Sequence, residues 1–183
     1  MTLKLSTLAI ALGLGMGLPQ IFGILNPQKF AASVRKFPRH VPIGIALMLL
    51  GTAWFMWNLS QESISDFTTF KPYMMVGFAA IGVGACVFVQ DFLAVRGLAV
   101  VFLLLGKLMT DTGRPMLGQT HWVLVIQGWG YLLAVAGIWF TIAPWRLRDL
   151  LNWATANETR VKVGSILRLS FGLFVAALGF TKF

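Results

Sequence analysis

Charge is scarce in this chain. Only 11% of its 183 residues are Asp, Glu, Lys or Arg, whereas soluble domains carry about 25%. Acids are scarcer still, six against fifteen basic residues, and no paired carboxylates stand within an apolar run. Cysteine occurs once, at Cys86. A lone cysteine excludes an internal disulfide and any CxxC redox or metal motif, and its place inside an apolar run reads as a small core residue. There are two histidines, His40 and His121. No nucleotide-binding loop, catalytic triad or zinc motif is present. These absences remove the usual signatures of a soluble enzyme, and no cofactor or metal is expected.

What is abundant is apolar sequence. The chain is 57% hydrophobic with a mean hydropathy of +0.78. A hydrocarbon core of ~30 Å is crossed by about 20 apolar residues in a helix. Runs of that length occur at 5–25, 41–59, 73–89, 92–110, 122–143 and 163–180. In lipid every backbone polar group needs an internal partner, which a helix supplies segment by segment. A β-barrel would show alternation in shorter stretches, and these runs are continuous. The expectation is an all-α integral membrane protein, one transmembrane domain over 1–183, built as a bundle of six helices. The first run is long for the core of a signal peptide, and no A-x-A-type cleavage site immediately precedes the basic stretch, so it reads as a retained span.

Charge distribution tests the count. The segment after the first run carries Lys29, Arg35, Lys36 and Arg39. The segment after the fifth carries Arg146, Arg148, Arg160 and Lys162 against Asp149 and Glu158. The loop after the second holds Glu62, Asp66 and Lys71. Six spans put both basic segments on one side, cytoplasmic by the positive-inside rule, and both termini outside. The net charge of +9 thus reads as orientation and contact with anionic phospholipid rather than nucleic-acid binding. Short loops and no targeting signal point to a bacterial inner membrane. Two sequons, at Asn58 and Asn157, are uninformative so close to a membrane or on its cytoplasmic side.

Both basic segments follow one plan. Asn26-Pro27 suits a helix start. Phe30, Val34 and Phe37 then recur on one face until Pro38 stops the helix. After Pro144, Leu147, Leu150, Leu151 and Ala154 form a second apolar stripe, flanked by Trp145 and Trp153. These are expected to be two short interfacial amphipathic helices, with Lys29, Arg35, Lys36, Arg39, Arg146 and Arg148 meeting lipid headgroups. The first and last hairpins share this order, which permits a parallel internal repeat, although the spacing of the halves differs.

Four features carry potential chemistry. Small residues repeat at four-residue spacing at Ala9, Gly13 and Gly17, at Ala80 and Gly84, and at Gly172 and Ala176. Such faces let helix backbones approach closely, within the chain or against another subunit. In the fourth run Arg96, Lys107 and Arg114 lie within about 20° of one helix face, with Asp111 spaced to pair with Lys107 and Arg114. Either this stripe lines a path for an anion or protons, or its ends snorkel to opposite headgroup layers. Asp91 stands at a tight turn and is a candidate cap for the fourth helix. Gln127 lies within the fifth run and is expected to face another helix. The two histidines fall on opposite sides of the threading and cannot share a ligand.

The leading expectation is a non-enzymatic membrane protein, a structural or accessory subunit that packs against other membrane subunits or itself. The alternative is a small transporter or channel using the charged face of the fourth span. A lipid- or quinone-modifying enzyme using Asp91 or His121 ranks third, because neither residue has a visible catalytic partner.

Overall fold

A computed structural model describes residues 4–62 and 70–183; Asp66 lies outside the described residues. The described residues are 87% helix, with no strand. Among the described residues eight α-helices follow one another: α1 Leu5–Leu25, α2 Pro27–Lys36, α3 Val41–Gln61, α4 Lys71–Phe88, α5 Leu93–Gly113, α6 Val123–Ile142, α7 Trp145–Ala154 and α8 Glu158–Thr181. Six of them, all except α2 and α7, are long and apolar enough to cross a membrane.

Local chemistry sets several ends. Pro27 opens α2, and the Phe30 N–H bonds to the Asn26 carbonyl. His40 caps α3, its Nδ1 accepting from the Ile43 N–H at 3.3 Å; this is a structural use of an imidazole. Asp91 does not cap α5. The α4–α5 turn places Phe92 at a φ of 54°, and the Phe92 carbonyl takes the Val95 and Arg96 N–H groups. Pro19 is carried inside α1, which stays helical to Leu25. Two helices exceed their apolar runs by three residues or more. α5 continues to Gly113 before a tight turn at Arg114–Met116, and α8 begins at Glu158. Helical hydrogen bonding needs no apolar side chain, so polar turns extend beyond the hydrophobic stretch.

The chain divides into two compact units. The first holds Met1–Lys36, Leu105–Ala134 and Arg148–Phe183. Within it α1 and α8 run antiparallel, because Gly23 meets Ser165, Gly13 meets Gly172, and Gly179 meets Ser6. Its core gathers Leu5, Leu8 and Ala9 of α1, Met109 of α5, Val123 and Ile126 of α6, and Val175 of α8. The edge-on pairs Trp122–Phe174 and Trp129–Phe171 join the residue before α6, and α6 itself, to α8.

The second unit holds Phe37–Leu104 and Val135–Leu147. Here α3 and α5 run parallel, with Gly44 against Ala94 and Gly97 against Met48. Met48, Cys86 and Leu93 form its buried cluster. Cys86 is buried, and its thiol donates to the Gly82 carbonyl at 3.4 Å. The start of α4 is held by Lys71, whose Nζ donates to the Ser60 and Glu62 carbonyls at 2.7 and 2.9 Å.

Candidate functional site

Glycine decides how closely the helices of the first unit pack. A Cβ placed on Gly13 would lie 2.5 Å from the Gly172 carbonyl oxygen and 2.7 Å from the Ala176 nitrogen. One on Gly172 would lie 2.5 Å from the Gly13 oxygen. These are backbone atoms and have no rotamer to change. The two helices therefore touch backbone to backbone, and Ala9 and Ala176 are buried in the same seam. Ala9, Gly13, Gly17, Gly172 and Ala176 thus come together, joining residues more than 150 positions apart. The α5–α6 contact in this unit is built the same way, with Gly106 facing the Gly130 carbonyl.

Ala80 and Gly84 lie elsewhere. Both are on α4, where Ala80 is exposed and a Cβ on Gly84 would meet only Phe88 of its own helix, at 3.9 Å. Inside the unit α4 packs through Gly82, which sits directly against Thr52 of α3, and through Cys86. The face carrying Tyr73, Gly77, Ala80, Gly84 and Phe88 is turned the other way. Nothing lies within 4 Å of a Cβ on Gly77, and Tyr73 and Phe88 are 74% and 85% exposed.

The charged stripe of α5 splits. Lys107 Nζ bonds to Asp111 Oδ2 at 2.7 Å. Arg114 approaches the other carboxylate oxygen at 3.9 Å. All three side chains are exposed and belong to the first unit, so this end of α5 carries a local ion network. Exposed i,i+4 pairs of this kind contribute about 0.3–0.5 kcal/mol. Arg96 belongs to the second unit. It is half-buried, and its Nε is buried without a partner. Gln127 does face α5, its Nε2 lying 3.3 Å from where a Gly113 Cβ would stand. That nitrogen, however, is buried and unbonded.

The two short helices carry the basic residues. In α2 the half-buried stripe runs through Phe30, Ala31 and Val34, while Lys29, Arg35 and Lys36 are exposed; Phe37, also half-buried, lies just beyond it in the short turn Phe37–Arg39. In α7 Leu147, Leu151 and Ala154 turn inward. Leu150 does not join them. It is exposed, as are Trp145 and Trp153, so α7 has apolar side chains on two sides. Arg39 and Arg146 are exposed in the second unit, and Arg148 pairs with Asp149 at 2.8 Å. In the first unit the two basic segments are tied together. Arg35 Nε donates to Thr155 Oγ1 at 2.8 Å, and its Nη2 bonds to the Thr155 carbonyl. Gln28 Nε2 donates to Glu158 Oε1 at 2.6 Å. A groove of about 260 Å³ runs between them, lined by Gln28, Arg35, Thr155 and Glu158 among others.

Sequence reasoning passed over one polar group altogether. Arg168 lies in the apolar body of α8, and its Nη1 donates to Gln20 Oε1 of α1 at 3.2 Å. The Gln20 amide in turn donates to the Met16 carbonyl at 3.4 Å. One turn away Ser165 is fully buried against Gly23, with its hydroxyl unpartnered. An arginine inside an apolar run was the available signal. Compared with known protein families, curated proteins and solved structures, the chain matches none.

Proposed function

We propose that this chain is a non-enzymatic multi-pass protein of a bacterial inner membrane, a structural or accessory subunit that packs α4 against a helix of another membrane subunit. The open face of α4 carries the reading. Helices in lipid gain nothing from hydrophobicity when they associate, so contact depends on close packing, which small residues allow. Gly77, Ala80 and Gly84 form such a strip between Tyr73 and Phe88, on the side of α4 away from Gly82 and Cys86. Only 11% of the apolar window of α4 is buried, against 44% for α5. The α1–α8 seam shows how this chain closes the same kind of strip when a partner helix is present.

Two further observations support the reading. Lys107, Asp111 and Arg114 partner one another at an exposed helix end, which gives them a structural use. The basic segments meet at one end of the first unit, a placement suited to anionic phospholipid on the cytoplasmic side, with both termini outside.

A photo-crosslinking residue at position 80 tests the proposal, with position 132 of α6 as a control, since Leu132 is also well exposed at 69%. A discrete crosslinked species from position 80 alone is expected in membranes. A chain that purifies from mild detergent as a bare monomer, with no crosslink at either position, would sink the subunit reading.

A further inference from the structure

Independently of the α4 face, we infer that Arg168, together with Gln20, forms a binding site for a phosphate-type oxyanion on the α1–α8 pair, with an anionic phospholipid headgroup as the natural source.

The arginine is ten residues into α8, about 15 Å from the helix start at 1.5 Å per residue. Helical side chains lean toward the N-terminus, and this one lies back over Gly164. A Cβ on Gly164 would stand 3.4 Å from its Nη2. The missing side chain makes room for the guanidinium, which is drawn toward the end of the unit carrying Lys29, Arg160 and Lys162.

Its bonding is incomplete. A guanidinium has five N–H donors in a rigid fork, yet among the described residues Arg168 bonds only to the neutral Gln20. It makes no ion pair, unlike Lys107, Arg114 and Arg148. A half-buried cation with spare donors is costly in apolar surroundings unless an anion joins it. Beside it the Ser165 hydroxyl is wholly buried and unpartnered, so the polar group on α8 is under-satisfied at two neighbouring positions.

The geometry selects the ligand class. A planar fork matches two oxygens of a phosphate or phosphodiester. Gln20 holds the fork, because its own amide is anchored on Met16 and its oxygen points at Nη1. A phospholipid alongside α8 presents its phosphate from the basic end, the direction in which the side chain already reaches. Free phosphate offers the same oxygens without the apolar tails.

The test uses the full chain in neutral detergent, with affinity read by native mass spectrometry and by the shift in thermal unfolding. Phosphatidylglycerol is expected to bind saturably, and phosphatidylcholine far more weakly. Inorganic phosphate matching phosphatidylglycerol would keep the site but assign it to the free ion. Arg168→Gln should weaken phosphatidylglycerol binding at least 10-fold. Arg168→Lys, which keeps the charge and loses the fork, should fall in between. Lys182→Gln, an equal loss of charge at an exposed position, should change binding less than 3-fold. If Arg168→Gln does not fold, Gln20→Leu decides, with an expected loss of at least 3-fold. The inference is overturned if Gln20→Leu and a folded Arg168→Gln keep wild-type affinity, or if Lys182→Gln loses as much as Arg168→Gln. It is equally overturned if Arg168→Gln releases a co-purifying protein while lipid binding stays unchanged.

Discussion

The α1–α8 seam and the outer face of α4 are written in the same residues and have opposite fates. Each is a strip of glycine and alanine on an apolar helix. In the seam, Gly13 and Gly172 bring backbones so close that a Cβ would lie 2.5 Å from a carbonyl oxygen. On α4, a Cβ at Gly77 would meet nothing. A small-residue strip is therefore permission for contact, not evidence of it. The second strip of α4 makes the point inside one helix, since Gly82 is closed on Thr52 while Gly84, two residues on, is not.

Substitution should separate these cases in order of size. Gly172→Leu sets a side chain against the immovable backbone of α1. Overpacking costs typically 1–3 kcal/mol and sometimes more, and here the loss should reach about 3 kcal/mol or prevent folding. Unfolding followed by tryptophan fluorescence in micelles would show it, and a tolerant response would mean that the seam can open. Gly82→Leu sets a side chain against the Thr52 side chain rather than against backbone, so a loss of about 1–3 kcal/mol is expected. Arg35→Ala removes the tie between α2 and Thr155 at the edge of the first unit. A part-exposed hydrogen bond contributes about 1 kcal/mol, so the same unfolding measurement should register a shift of that order. Gly84→Leu should change the stability of the isolated chain by less than about 0.5 kcal/mol, as surface substitutions do. It should nonetheless abolish any crosslink formed from position 80. Equal losses for Gly84→Leu and Gly82→Leu would erase the distinction between the two faces of α4.

Much of the architecture was legible because it is local. The first apolar run and α1 share their bounds, 5 to 25. Pro27 and Pro144 mark the starts of the two short helices because proline suits a first turn. The misses have equally local causes. Hydropathy ends the fourth run before Asp111 and begins the sixth after Lys162, whereas helical hydrogen bonds carry α5 to Gly113 and start α8 at Glu158. Spacing puts Leu150 on one apolar stripe with Leu147, Leu151 and Ala154, yet it is exposed while those three are buried or half-buried. The expected cap at Asp91 gave way to a backbone turn through Phe92. Arg168 escaped notice because its run stays apolar on average, and its partner Gln20 is 148 residues away in sequence.

The sequence by itself determined six apolar helices of membrane-crossing length and two short basic helices between them. It could do so because backbone hydrogen bonding and side-chain periodicity act within a few residues. Only the tertiary structure decided which glycine strips are closed, that Arg35 reaches Thr155, and that Arg168 meets Gln20 rather than a carboxylate. Those outcomes depend on distances of a few ångströms between segments far apart in the chain, and no local pattern encodes them.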